Sequence, residues 1–116
     1  MRRVLHVLAL ATLSACVSRA SEDVSATGCY TFGHEVNTFR PLPGDSTFWV
    51  FGAPPVLQQL RSAHDSLTSK PYEAVWVRVL AQRSTEQPDG FAQQYDGLIE
   101  IQRVLEIRRA TVAECS

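Results

Sequence analysis

Three cysteines, three histidines and a scatter of serines and carboxylates are the residues of this 116-residue chain that could do chemistry. A thiol can carry a lipid, join a second thiol or hold a soft metal, and spacing and compartment decide which. A metal centre needs three or four donors that converge. His34-Glu35 and His64-Asp65 lie far apart, and no spacing gathers them with a cysteine, so solvated surface histidines are expected. Copper would favour thiolates or methionines, and Met1 is the single methionine. Ser46, Ser62, Ser66 and Ser84 have no Gly-x-Ser-x-Gly elbow around them, so none reads as an activated nucleophile. Glu100 and Glu106 read as solvated charges on a strand, and the six glycines are too dispersed for a phosphate-binding loop. The expectation is a protein that is not an enzyme, with no catalytic set, no metal and no cofactor.

The N-terminus is more specific. Met1-Arg2-Arg3 is a positive start, and Val4 to Leu13 is apolar apart from His6 and Thr12. This is the anatomy of an export signal, and it is shorter than the roughly 20 apolar residues a spanning helix needs. Leu13-Ser14-Ala15-Cys16 follows, an aliphatic residue, two small ones and a thiol, resembling the bacterial lipobox. Cleavage between Ala15 and Cys16, with lipid on Cys16, is therefore expected. It would leave 101 of the 116 residues, with 9 basic side chains against 12 acidic ones, a net charge of about −3. Such a balance speaks against nucleic acid, which calls for a basic face. No second apolar run or polybasic stretch would hold the chain to lipid, so attachment to the membrane rests on Cys16. One acyl chain binds only marginally and two or more bind stably; proteins processed at this motif carry two or three. Val17 in place of Asp after the cysteine implies, by the sorting rule of enteric bacteria, the outer membrane, with the protein facing the periplasm.

Export would place Cys29 and Cys115 in an oxidising compartment, and with Cys16 lipidated they are the two thiols left. They are expected to pair, two buried free thiols being the alternative.

The elements that must position these residues follow from periodicity. Residues 1–15 are the signal, 16–27 the lipidated cysteine with a flexible tether, and 28–116 one folded domain, enough for a single modest core. Cys29-Tyr30-Thr31-Phe32 and the stretch Val36 to Phe39 alternate, and Pro41-Leu42-Pro43-Gly44-Asp45 is a turn cluster. Thr47 to Phe51 is a third strand, with Thr47, Trp49 and Phe51 on one face and Phe48 and Val50 on the other. After Pro54-Pro55 the period becomes helical through Val56, Leu57, Leu60, Ala63, His64 and Leu67, ending at Thr68-Ser69-Lys70-Pro71. Alternation returns with Val75, Val77, Val79 and Ala81. Ile99, Ile101, Leu105 and Ile107 share a last strand whose face Arg103 breaks; a helical reading through Leu98, Ile101, Leu105 and Arg108 is the alternative, and the isoleucines and Asp96-Gly97 favour the strand. The order β-β-β-α-β-β matches a small five-stranded OB-like barrel, mainly β with one helix.

Gly28-Cys29-Tyr30, Phe39-Arg40-Pro41 with Phe48-Trp49-Val50, Leu60-Arg61, Pro71-Tyr72-Glu73 and Tyr95-Asp96-Gly97 together resemble the C-terminal OB-type domain of NlpE-like envelope lipoproteins. The likeness runs from about Gly28 to Cys115. It implies an OB-type fold in the bacterial envelope and a link to copper response or surface-stress sensing. The chain departs from the family in having Leu42 where a cysteine is expected, and in lacking a separate N-terminal domain with Cys-x-x-Cys.

Tyr30, Phe32, Trp49, Phe51 and Trp76 are expected mainly to fill the barrel. The usual binding surface of such a barrel is its second and third strands, here Val36 to Gly52, where Phe48 or Trp49 could be exposed. The functional expectation is a membrane-anchored envelope lipoprotein acting as a non-catalytic binding module, its partner another envelope protein. A stress- or copper-response lipoprotein, or one binding an oligosaccharide or small apolar ligand, is the alternative.

Overall fold

In the computed structural model, residues 24–116 are described; the signal, Cys16 and most of the tether lie outside them. Five strands, β1 (Val24–Gly33), β2 (Val36–Pro41), β3 (Phe48–Phe51), β4 (Val75–Arg83) and β5 (Leu98–Arg109), close into a barrel in the order β1-β2-β3-β5-β4. All neighbours are antiparallel except β3 and β5, which run parallel. The main helix α1 (Pro54–Leu67) lies between β3 and β4, and a short α2 (Val112–Cys115) closes the chain. This is the OB-like arrangement that periodicity implies.

The alternation of β4 explains the core directly: Val75, Val77, Val79 and Ala81 are all buried, while Trp76, Arg78 and Leu80 between them are not. Tyr30, Phe39, Phe48, Val50, Leu60, Ile99 and Ile101 complete the core. One polar chain crosses it: the Tyr30 hydroxyl donates to Asn37 Oδ1 at 2.8 Å, and Asn37 Nδ2 donates to the Val50 carbonyl at 3.3 Å. Burial pushes the Tyr30 phenol up to about 12, with Arg61 pulling the other way, so it remains a neutral donor.

β1 serves two partners, β4 through Val24–Tyr30 and β2 through Gly28–Gly33. The overlap, Gly28 to Tyr30, begins at Gly28, where a Cβ would stand 2.4 Å from the Arg40 carbonyl and 2.7 Å from the Phe39 ring. Only glycine lets the two strands approach this closely.

Four sequence expectations need correction. The tether ends earlier than Thr27, because Val24 to Thr27 already pair with Ala81 to Arg78. Phe48 faces the core at 5% exposure and is not on a binding face. Trp49, Phe51 and Trp76 do not fill the barrel; alternation puts all three on its outside, half-buried. His64 is buried, not a solvated surface histidine: its Nε2 lies 2.6 Å from the Glu73 carbonyl oxygen and 3.4 Å from the Phe32 backbone nitrogen, on the face of α1 that packs with Leu60. The run on β5 is also less regular than its spelling. Two irregularities in the β4–β5 register insert Gln102 and Leu105, so that Ile101, Val104 and Ile107 oppose Ala81, Val79 and Val77. Arg103 thus leaves the inner face without interrupting it.

Candidate functional site

The outer face of β1, β2, β3 and β5 places hydroxyl, aromatic and apolar side chains in register. Strand register lines up Thr31, Thr38, Trp49 and Leu98 as one row crossing four strands, with Cys29 and Arg40 as the neighbouring pair. All point outward because Tyr30, Phe39, Phe48, Val50 and Ile99 beside them point in.

Trp49 ends this row against Tyr95, with ring centroids 5.7 Å apart and planes tilted by 38°. Tyr95 is held by the loop that precedes β5. A short 3-10 turn (Gly90–Gln94) closes with Tyr95 N–H donating to the Ala92 carbonyl at 3.1 Å. The next residues are stitched to β3: Thr47 N–H donates to Asp96 Oδ2 at 2.7 Å, Asp96 N–H to the Thr47 carbonyl at 2.9 Å, and Trp49 N–H to the Gly97 carbonyl at 2.9 Å. Gly97 has φ of +152°, which suits glycine alone at this junction. The aromatic pair is therefore fixed before any partner arrives.

A groove of about 450 Å³ runs beside it over β1 and β2, lined by Thr31, Thr38, Arg40, Thr47, Tyr72 and Thr111 among others. The C-terminal segment forms one wall, and several contacts hold it there. Cys115 is joined to Cys29, with Cα atoms 5.7 Å apart, so the expected bridge is present. Glu114 receives both Nη atoms of Arg108, at 2.9 and 2.7 Å, and closes a capping box with Thr111. Arg108 lies over the Trp76 ring, 4.0 Å from its centroid. Arg40 donates to the Gly44 carbonyl at 3.0 Å and reaches the Glu114 carbonyl at 3.5 Å, tying the wall to the groove floor.

The Arg108 guanidinium, followed by the Thr111 backbone N–H, lowers the Glu114 carboxyl from its ordinary 4.5 to about 2. A lowered folded-state value means the contribution to stability is present above 4.5 and is lost as pH falls toward 2. The pair is partly open to water, so the effect is screened and small. The melting temperature of Glu114→Gln should accordingly fall below that of the parent chain at pH 6 and converge with it as pH drops from 4.5 to 2. A gap as wide at pH 2.5 as at pH 6 would show that the pair does not act this way.

A wider depression of about 770 Å³ lies at the α1 end of the barrel, among Phe32, His34, Arg61, His64, Lys70 and Tyr72. His34 there is in the turn after β1, in an exposed contact with Glu35 at 3.3 Å. Among the described residues no three His, Cys, Asp or Glu side chains gather to hold a metal ion.

Of the residues singled out from sequence, Cys29, Cys115 and Trp49 meet at this outer face, whereas Phe48 does not. Tyr95, quoted only within the resemblance, Thr38, covered only by the span Val36 to Gly52, and the Arg108–Glu114 wall were not singled out as site residues. The OB-like order itself carried a signal for Tyr95, since it makes β3 and β5 neighbours and so brings the loop before β5 to the start of β3. Comparison with protein-family models, with curated proteins and with solved structures finds no match for this chain.

Proposed function

We propose that this chain is a lipid-anchored bacterial envelope protein, held in the outer membrane on the periplasmic side. Its OB-like barrel is a non-catalytic binding module, and it meets a component of the same envelope through the face around Trp49 and Tyr95. The observation that carries the reading is the aromatic pair itself, half-buried, outside the core and braced by the loop before β5. Rigid aromatic side chains with one face free are the usual anchors of recognition, because little conformational freedom remains to be lost on binding. The anchor rests on Met1 to Cys16, outside the described residues. A net charge of about −3 after cleavage points away from nucleic acid. The resemblance to NlpE-like lipoproteins agrees with this setting; the copper- and stress-response alternative draws on that resemblance alone.

The test is retention of the unlipidated Cys16→Ala chain on washed envelope fragments. Adding Trp49→Ala is expected to lower retention by about tenfold or more, the scale of a lost aromatic anchor. Equal retention of the two chains would remove this face as the binding surface.

A further inference from the structure

The groove over β1 and β2 carries two opposite charges that no ion pair among the described residues neutralises. Arg40 stands half-buried on β2, and its guanidinium donates only to neutral acceptors, the carbonyls of Gly44 and Glu114 and the sulfur of Cys29. Glu73, leading into β4, is half-buried as well, and its Oε2 accepts only the backbone N–H groups of Ser69 and Lys70. Ser116 also lines the groove, and it forms no ion pair with Arg40. A charge drawn partly out of water without a counter-charge is costly, and a ligand that brings one relieves the cost.

Between the two charges lie hydroxyls. Thr31 and Thr38 face each other across β1 and β2, and both line the groove. Thr38 is only 6% exposed, and among the described residues its hydroxyl has no hydrogen-bond partner. It is not sealed off, since the one fully enclosed orphan atom among the described residues is Gln102 Oε1. A ligand or water must satisfy it. The distance between the charges sets the length of the ligand. β1 separates β2 from β4 in the barrel, and Arg40 and Trp76 are both partners of Cys29. Glu73 therefore stands two strand spacings across and three residues along from Arg40, about 14 Å between backbones. Both side chains line the groove and shorten that gap, so three or four extended residues, at about 3.3–3.6 Å each, close it.

We infer that this groove binds a short zwitterionic peptide of three or four residues, its carboxylate on Arg40, its backbone on the hydroxyls of Thr31 and Thr38, and its ammonium on Glu73. The two ends are read by charge and the middle by hydroxyls that donate to or accept from peptide groups, so side-chain identity matters little. Trp49 does not line the groove. The site is therefore separate from the Trp49–Tyr95 face and stands or falls without it.

The experiment uses the mature full chain as isolated, in detergent at neutral pH, titrated with the alanine tripeptide and tetrapeptide while backbone amide shifts are followed by NMR. At least one peptide is expected to shift Thr31, Thr38 and Arg40 saturably, on the order of millimolar concentration. Acetylating its amine and amidating its carboxylate should each weaken binding about tenfold. Thr38→Val, which keeps the shape and removes the hydroxyl, should weaken it about threefold to tenfold, with the amide spectrum elsewhere unchanged. Glu73→Gln keeps an oxygen for the N–H groups of Ser69 and Lys70; it should erase the preference for the free amine and retain that for the free carboxylate. Failure of both peptides to shift these amides, a capped form that binds as well as the free one, or a Glu73→Gln chain that still prefers the free amine overturns the inference. Affinity unchanged by Thr38→Val overturns it as well. None of these outcomes bears on retention by envelope fragments, which reads the Trp49 face.

Discussion

The double variant Cys29→Ala, Cys115→Ala is expected to melt on the order of 20 °C or more below the bridged chain. The two cysteines are separated by 86 residues, nearly the whole of the described fold. Closing so long a loop removes conformational freedom chiefly from the unfolded chain, about 4.6 kcal/mol in the chain-entropy treatment. That is a large share of the roughly 5–15 kcal/mol that a domain has in total. A small domain shifts its midpoint by about 4–8 °C for each kcal/mol lost, which sets the scale of the fall. What remains on the C-terminal segment cannot make up the difference. The Arg108–Glu114 pair is partly solvated, and pairs of that kind contribute little. Four residues of helix in α2 are too few to hold themselves together. Alanine is the right replacement at Cys29, which is 4% exposed, because serine would bury an extra hydroxyl. Thermal unfolding followed by circular dichroism, with and without reductant, provides the check. A double variant melting within about 5 °C of the parent would mean that the bridge constrains little.

Replacing Cys16 with Ala should transfer the protein from the membrane to the soluble fraction. Among the described residues no helix is long and apolar enough to cross a bilayer. On the proposed reading the acyl chains carry the attachment, at about 0.8 kcal/mol for each buried methylene group. Losing two or three chains removes tens of such groups, so the partition should be all but complete. The barrel should be unaffected, because the described strands run from Val24 onward and none of their pairings involves the substituted residue. Fractionation of cells expressing each form measures the first claim, and the melting temperature of the soluble form measures the second. Retention in washed membranes of a Cys16→Ala chain that also carries Trp49→Ala, and so lacks the proposed binding face as well, would refute the anchor.

The strands and the helix were legible because each carries its period cleanly. β4 alternates without a fault from Val75 to Ala81, and α1 announces itself through the switch to three- and four-residue spacing after Pro54-Pro55. Cys29 and Cys115 were legible by counting. Other features were not, for identifiable reasons. The first residues of β1, Val24-Ser25-Ala26-Thr27, are small side chains whose alternation is too brief to mark a strand, and pairing to Ala81 to Arg78 of β4 orders them. Bulges at Gln102 and Leu105 shift the phase of β5, and bulges have no local spelling. His64 reads the same whether its imidazole meets water or a carbonyl nine residues away. At the candidate site, Trp49 was visible as a residue, whereas its pairing with Tyr95 depends on the parallel register of β3 and β5, which joins segments distant in the chain.

The early start of β1 also limits geography. Seven residues separate Cys16 from Val24, and a fully extended stretch of that length spans no more than roughly 30 Å. With lipid on Cys16, the end of the barrel around Val24, Pro41 and Ile99 stays within that reach of the bilayer. A partner deep in the periplasm is then out of reach unless it comes to the membrane. The protein's search becomes two-dimensional, by lateral diffusion in a thin layer, and within that layer even a weak groove works at the high local concentration that tethering creates.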